Sequence, residues 1–197
     1  MKLIFVRHGQ TNYNAQDIIQ GQSESTLSEK GLSQAKALAK RLKNENIDMI
    51  FCSDLMRARQ TAKEIIKYHK KVPVKYTKLL RERAFGVFEN RHVDVYRTVR
   101  ESVGKKRHNF KPQGGESFYD LQKRVRKFYA SIYPKYKGKT VLVVSHGGIN
   151  RVLTCMFMKK PLKRVFDIDQ NNANVNIVEI TKKGKAIIRT LNCTKHL

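Results

Sequence analysis

Two histidines stand beside glycines, each soon after a run of β-forming residues. Arg7-His8-Gly9 follows the apolar run Leu3–Val6, and His146-Gly147-Gly148 comes after Thr140–Val144 and one serine. In open α/β sheets, ligands bind in the loops after the carboxyl ends of strands, and a glycine there lets a ligand approach the main chain. One such histidine is more often a structural residue, but two in equivalent positions indicate a shared site.

Three charged side chains lie where a solvated surface would not require them. Arg7 directly follows an apolar run, where an unpaired charge would be costly. Arg57 falls in the first turn of a predicted helix, where the helix dipole disfavours a cation unless an anion lies nearby. Glu82 is an acid between Arg81 and Arg83. Taken alone, Arg57 could be a solvated surface residue and Glu82 a salt-bridge partner, so both alternatives stay open.

Alternating strand and helix patterns would position these side chains. Helical spacing of apolar residues follows Ser28 and Ser53 or Asp54, which are predicted N-caps, and also Ser117, and a further helix is predicted through Val152 to Phe157. Short β-forming runs are Leu3–Val6, Met49–Cys52, Val74–Tyr76, Thr140–Val144, Val175–Ile180 and Ala186–Leu191. This alternation, closed by a hairpin, predicts an α/β fold: a three-layer α/β/α sandwich with a mostly parallel sheet.

The length favours one domain over residues 1–197. The segment from Lys67 to Lys111 is strongly basic and has the weakest apolar periodicity, which predicts an exposed insertion. We expect the insertion to form a short basic cap over roughly residues 83–113, directly after Glu82.

Five ordered motifs together resemble the histidine phosphatase superfamily, also called the phosphoglycerate mutase-like family. They cover essentially the whole chain: Arg7-His8-Gly9-Gln10-Thr11 with Asn14 and Gln20-Gly21, Ser53-Asp54-Leu55-Met56-Arg57-Ala58-Arg59-Gln60-Thr61-Ala62, Leu80-Arg81-Glu82 with Gly86 and Glu89, Gly114-Gly115-Glu116-Ser117, and Val141 to Gly148. Asn172-Ala173-Asn174-Val175 and the last six residues resemble the family's closing hairpin. One three-residue motif would be weak, but five in order are specific.

The resemblance implies phosphoryl transfer to a histidine. His8 would be the nucleophile and form a phosphohistidine, with its pKa depressed by Arg7, Arg57 and a protonated His146. The same cations would stabilise charge on the transferring group. Glu82 would protonate the leaving alkoxide and later activate water.

The resemblance also implies a wider phosphate-binding set. Asn14 would supply a neutral donor, Gln20 and Gly21 would line the entrance, and Gly147 would lie against the phosphate beside His146. No Asp/Glu cluster suited to Mg²⁺ accompanies the motifs, so we expect metal-independent catalysis without a cofactor.

The main expectation is a phosphomonoester hydrolase acting on a small phosphorylated metabolite. The alternative is a cofactor-dependent phosphoglycerate mutase, but such mutases carry a longer insertion after the acid motif. The Gly86-x-x-Glu89 spacing also resembles the phosphatase branch. The cap residues Arg83, Arg91, His92, Tyr96 and Arg97 are expected to contact the rest of the substrate and favour one with a second anionic group.

A formal charge of +25, from 41 Lys and Arg against 16 Asp and Glu, suggests a second alternative, a basic nucleic-acid-binding module with a vestigial site. However, no nucleic-acid motif is recognisable, and the Lys-rich helix faces resemble solvated faces. Three unpaired cysteines, with no export signal or membrane span in the sequence, predict a reduced, cytoplasmic setting. The sequence leaves homo-oligomerisation open.

Overall fold

A computed structural model describes all residues from 1 to 197 and contains one six-stranded sheet. The strands are β1 (Lys2–Arg7), β2 (Met49–Ser53), β3 (Val74–Thr77), β4 (Thr140–Ser145), β5 (Val175–Ile180) and β6 (Ala186–Cys193), in the order β3-β2-β4-β1-β5-β6. The pairs β3–β2, β2–β4 and β4–β1 are parallel, whereas β5 is antiparallel to both its neighbours. β5 alone therefore runs against the other strands, which confirms the mostly parallel sheet and the closing hairpin.

Six α-helices accompany the sheet: α1 (Asn12–Ala15), α2 (Glu29–Leu42), α3 (Met56–Ile66), α4 (Val93–Ser102), α5 (Phe118–Ile132) and α6 (Gly147–Phe157). Short 3₁₀ helices span Lys78–Leu80, Gly86–Phe88 and Leu162–Asp167. As predicted, Ser28 caps α2 by accepting a hydrogen bond from a backbone N–H group of the first turn. Ser117, from which a helix was predicted, caps α5 in the same way. None of the helices combines the length and the apolar content needed to cross a membrane.

The sheet is covered by helices on both faces. Successive strand residues point to opposite faces, so Phe5 and Val143 pack into a core shared with α5 and α6, whereas Ile4 and Val144 pack into a second core shared with α2 and α3. The predicted three-layer sandwich is therefore confirmed. Because both faces are buried, the only open part of the sheet available to a ligand is at the strand ends.

The segment 83–113 carries α4 and the 3₁₀ turn Gly86–Phe88, and it is not uniformly exposed as predicted. Phe88, Tyr96 and Phe110 pack with Ile19 in a small buried cluster. Tyr96 is the one buried residue of α4. The basic residues around these aromatic side chains concealed the cluster in the sequence pattern.

Candidate active site

The predicted catalytic residues meet at the carboxyl ends of four neighbouring strands. β1 and β4 are parallel neighbours in register up to their last residues, so the histidines that follow them, His8 and His146, lie side by side with ring centroids 5.1 Å apart. Arg7 ends β1, Arg57 lies in the first turn of α3 after β2, and Glu82 follows β3 and a 3₁₀ turn. The topology thus brings together five residues that are up to 139 positions apart in the chain.

His8 is buried and held in one tautomer. Its Nδ1 lies 2.7 Å from the carbonyl oxygen of Gly9, and because a carbonyl can only accept, Nδ1 carries the proton. The Nε2 lone pair therefore remains available to attack an electrophile. Burial, and then the charges of Arg57 and Arg7, lower the pKa of His8 well below its ordinary value, so the ring is neutral, as a nucleophile requires.

His146 is fully buried, and its Nε2 lies 2.8 Å from the Ser53 hydroxyl. The expectation that His146 is protonated is wrong: burial and the charge of Arg57 lower its pKa well below the ordinary value. The predicted caps of α3 are also wrong, because the helix begins at Met56 without a side-chain cap. Ser53 is instead engaged with His146, and Asp54 forms an ion pair with Arg81.

Arg7 is anchored from the segment before β5. Its Nη1 donates to the carbonyl oxygen of Gln170 at 2.7 Å, and its backbone N–H donates to Asn174 Oδ1 at 3.2 Å. Burial lowers its pKa to about 10, which leaves the guanidinium charged at neutral pH. The sheet end therefore holds a fixed cation directly beside the nucleophile.

Arg57 is fixed by the loop that contains Gln20 and Gly21. Its Nη2 donates to Gly21 O at 2.7 Å, and its Nη1 donates to Ser23 O at 2.9 Å. The Gln20 side chain accepts from the Ser25 hydroxyl, which also lies beside Arg57. Burial lowers the pKa of Arg57 to about 10, so it too stays charged. The structure places Gln20 and Gly21 as supports of Arg57, and their direct contact with substrate stays a prediction.

Glu82 is held at the start of α6 by two backbone donors. Its Oε1 accepts from Arg83 N–H at 2.7 Å, and its Oε2 accepts from Gly148 N–H at 3.0 Å. Gly148 has to be small, because a Cβ at that position would collide with Glu82 Oε1. Arg124 donates to the backbone oxygen of Glu82 at 3.0 Å. The carboxyl group is therefore positioned by the main chain and not by a salt bridge, the alternative left open by its sequence context.

Asn14 and Gly147 lie beside the cluster formed by the five predicted catalytic residues. Asn14 Oδ1 accepts from Asn172 Nδ2 at 3.3 Å, which leaves the amide NH₂ as its free donor. Gly147 opens α6 between two arginines, since a Cβ there would lie 3.5 Å from Arg7 Nε and 3.4 Å from Arg151 Nη1. Asn14 and Gly147 thus lie close to the five predicted catalytic residues. That Asn14 and Gly147 bind phosphate stays a prediction.

Three buried nitrogens in this cluster have no hydrogen-bond partner in the protein: Arg7 Nε and Arg57 Nε, which are donors, and His146 Nδ1, which is a donor when it carries the ring proton. An unpaired buried donor costs about 1–3 kcal/mol. The oxygens of a phosphate group would accept from all three, and arginine forms strong, geometrically defined hydrogen bonds with phosphate. No three His, Cys, Asp or Glu side chains are arranged to hold a metal ion. The charged Arg7 and Arg57 can offset the charge of a bound phosphate.

A cavity of about 110 Å³ lies beside Glu82, and we refer to it as the cap cavity. Its lining residues are Ile19, Glu82, Arg83, Phe85, Val93, Tyr96, Arg107, Phe118, Gly148, Arg151 and Phe166. Of the predicted cap contacts, only Arg83 and Tyr96 line it. Arg97 pairs with Asp94 on an exposed surface, and Arg91 and His92 lie elsewhere in the cap.

Several site residues were missed by the sequence analysis. Gln170 and Asn174 position Arg7, Ser53 contacts His146, and Arg107 and Arg151 line the cap cavity. The amide-rich run before β5 was a visible signal for the first two, because so many amides next to a buried strand need partners. Nothing in the sequence distinguished Arg107 or Arg151 from the many other basic residues.

The two site histidines predict how stability depends on pH. Both stay neutral in the folded state but would take up protons near pH 6.5 when unfolded. The free energy of unfolding should therefore fall as the pH drops below about 6.5, by up to about 1.4 kcal/mol per pH unit for each histidine. Carboxylates with lowered pKa values, such as Asp54 and Glu45, contribute only at more acid pH.

Urea unfolding between pH 7 and pH 5 measures this slope. The His8→Gln variant removes one of these protons and should reduce the slope by up to about 1.4 kcal/mol per pH unit. His196, whose pKa is also lowered by burial, contributes equally to both proteins. A wild-type unfolding free energy that stays constant over this range would show that the histidines ionise freely in the folded protein.

Comparisons with known proteins agree with this geometry. The sequence is 33% identical over 208 aligned residues to a probable phosphatase of Schizosaccharomyces pombe, covering 100% of this chain and 95% of the relative. It is 31% identical to phosphoserine phosphatase 1 of Hydrogenobacter thermophilus, covering 100% and 94%. The solved structure of Bacillus stearothermophilus YhfR superposes with a TM-score of 0.91 at 30% identity, covering 99% of this chain and 98% of that one.

These relatives confirm the phosphatase class of enzyme, and neither the mutase nor the nucleic-acid-binding alternative is favoured. The family's sequence description, histidine phosphatase superfamily (branch 1), matches residues 3–194. With nearly the whole chain matched and the two histidines side by side at the sheet end, the protein belongs to the histidine phosphatase superfamily.

Proposed function

We propose that the protein hydrolyses small phosphomonoesters through a phosphohistidine at His8, without a metal ion. The observation that carries this is the neutral His8 beside three unpaired buried nitrogens, Arg7 Nε, Arg57 Nε and His146 Nδ1. A phosphoryl group takes a nitrogen nucleophile at its centre, and its three oxygens accept hydrogen bonds from several donors at once. In this mechanism residues 1–197 act as one domain, and the segment 83–113 covers the leaving group.

In the first step, His8 Nε2 attacks phosphorus in line with the leaving oxygen. The new P–N bond forms as the P–O ester bond breaks, and charge spreads over the three equatorial oxygens. Arg7 and Arg57 are charged and pre-positioned to stabilise these oxygens, while His146 donates as a neutral group through Nδ1. His146 does so in the tautomer that carries the ring proton on Nδ1, in which Nε2 accepts a hydrogen bond from the Ser53 hydroxyl 2.8 Å away.

Glu82 supplies the proton that the leaving alkoxide needs. A phosphate dianion bound beside it favours the protonated carboxyl group, and the proton passes to the ester oxygen as the bond breaks. In the second step, Glu82 takes a proton from water, the water oxygen bonds to phosphorus, and the P–N bond breaks. Inorganic phosphate leaves, and both His8 and Glu82 return to their starting states.

The substrate class follows from the site and is supported by the relatives. The H. thermophilus relative is named a phosphoserine phosphatase, and the cap cavity has a volume of about 110 Å³, which suits a small leaving group. We therefore place the substrate among small phosphorylated metabolites, with phosphoserine as a candidate. A mutase would need to retain the phosphoryl group and return it to a second acceptor position.

Phosphate release in the presence of EDTA tests this function. We expect the wild-type rate on alkyl phosphomonoesters to change less than twofold after exhaustive EDTA treatment, because the arginines replace a metal ion. Loss of activity on chelation that Mg²⁺ restores would contradict metal independence. Efficient conversion of 3- to 2-phosphoglycerate that depends on 2,3-bisphosphoglycerate, with negligible phosphate release, would contradict hydrolysis itself.

A further inference from the structure

The cap cavity contains more positive charge than the proposed chemistry uses. Arg83, Arg107 and Arg151 line it, and Glu82 is its single acidic residue. None of the three arginines takes part in an ion pair within the protein. Clustered cations repel one another unless an anion joins them, so the cavity has an uncompensated charge next to the leaving-group side of the site.

The three arginines differ in how many of their guanidinium N–H groups already have acceptors within the protein. Arg83 is structural: it is buried, donates to Glu116 O at 2.9 Å and to the Tyr96 hydroxyl at 3.0 Å, and stacks on the Phe85 ring with 3.9 Å to the centroid. Its guanidinium is therefore largely used in holding the cap to the rest of the domain.

Arg107 and Arg151 have fewer guanidinium N–H groups paired within the protein. The Arg107 guanidinium lies over the Phe166 ring, 4.1 Å from its centroid, on a residue that is otherwise exposed. Arg151 donates only through Nε, to Ile168 O at 2.9 Å, so its two terminal nitrogens are left for another acceptor. One of these, Nη1, lies near Gly147, between the phosphate-binding residues and the cap cavity.

Arg107 and Arg151 line the same cavity, so one group bound there would face both guanidinium groups. Loss of solvent around the Arg107 guanidinium lowers its pKa, and the charges of Arg151, Arg100 and Arg83 lower it further. An anion between Arg107 and Arg151 would relieve this repulsion and accept hydrogen bonds from both. A cavity of this volume holds about four water-sized groups at roughly 30 Å³ each, which is enough for a short leaving group that ends in a carboxylate.

We infer that Arg107 and Arg151 select phosphomonoesters whose leaving group carries a second anion, a carboxylate; this inference rests on the function proposed above. The carboxylate would lie in the cap cavity while Arg7 and Arg57 hold the phosphate. The apolar rings of Phe85, Phe118 and Phe166 would contact the short carbon chain between the two anions. The favoured substrates are then small phosphorylated hydroxy or amino acids, and neutral phosphorylated polyols are disfavoured.

Matched substrate pairs test this selection. 3-Phosphoglycerate and glycerol 3-phosphate differ by a carboxylate in place of a hydroxymethyl group, and phosphoserine and phosphoethanolamine differ by a carboxylate alone. We expect the wild type to prefer the carboxylate member of each pair in kcat/KM. In Arg107→Gln the preference should fall about 10- to 100-fold, the range for one lost charged hydrogen bond, with the loss expressed mainly in KM.

Lys106→Gln is the matched control, because it removes the same charge one position away without lining the cap cavity. It should leave the preference unchanged, and an equal fall in Lys106→Gln and Arg107→Gln would overturn the inference in favour of general electrostatic attraction. Turnover of all four esters without preference would also overturn it while leaving the hydrolase function intact. Failure to release phosphate from any of the four would instead contradict the proposed function.

Discussion

The His8→Ala variant should lose at least about 10⁴-fold in kcat, the scale seen when a covalent nucleophile is deleted. The His8 ring presents a nitrogen lone pair at Nε2, because its Nδ1 proton is committed to Gly9. Arg7 and Arg57 are anchored by carbonyl oxygens that the substitution does not touch. Binding of inorganic phosphate should therefore persist, within about tenfold of the wild-type affinity, while turnover disappears.

A phosphate-release assay and a trapping experiment together measure this effect. Brief reaction with a ³²P-labelled substrate followed by an alkaline quench should leave a base-stable, acid-labile label on the wild type and none on His8→Ala. His92→Ala is a suitable control, since His92 is exposed at the start of α4 and does not line the cap cavity. A turnover rate equal to that of the wild type in His8→Ala would contradict the whole mechanism.

The Glu82→Gln variant should lose about 10²- to 10⁴-fold on alkyl phosphates, the usual contribution of a general acid or base. Glutamine has nearly the same shape, and its amide oxygen can still accept from either Gly148 N–H or Arg83 N–H. The other backbone N–H would then face the glutamine NH₂ group and lose its acceptor, so a second measurement has to separate the missing proton from a displaced side chain. Glu64→Gln makes the same chemical change on the outer side of α3, where the wild-type carboxylate pairs with Lys67, and should behave as wild type.

The leaving group separates the two roles of Glu82. p-Nitrophenolate departs without a proton, so Glu82→Gln should still phosphorylate His8 rapidly with p-nitrophenyl phosphate and give a burst of nitrophenolate. Hydrolysis of the phosphohistidine should then be slow, because no base activates water, and label should accumulate on the protein. An equal loss on alkyl and aryl phosphates without accumulation would assign Glu82 a structural role instead.

The parts of the site that the sequence predicted are those fixed by local pattern and strand topology. His8 and His146 each follow a β-forming run, and parallel strands end at the same edge of the sheet, so their proximity follows from neighbouring strands in register. Arg57 was predicted from its place in the first turn of a helix after β2. These inferences need only the residues adjacent in sequence to each site residue and the direction of each strand.

The parts that could not be predicted depend on contacts far apart in the chain. Ser53 has the chemistry of a helix cap, but a hydrogen bond to His146, 93 positions away, takes its hydroxyl instead. The protonation of His146 failed as a prediction for a related reason, since burial lowers its pKa most, the neighbouring positive charges lower it further, and burial cannot be estimated from the adjacent residues. Arg107 and Arg151 become neighbours only when the cap folds onto α6.

The hydrogen bond from His8 to the Gly9 carbonyl also determines which isomer of the covalent intermediate can exist. Since Nδ1 is protonated and occupied at 2.7 Å, phosphorylation must give the 3-phosphohistidine isomer, in which phosphorus is attached to the ring nitrogen remote from the main chain. The two isomers have different ³¹P chemical shifts and different rates of acid hydrolysis. A single backbone carbonyl thus makes phosphoryl capture by this histidine regiospecific.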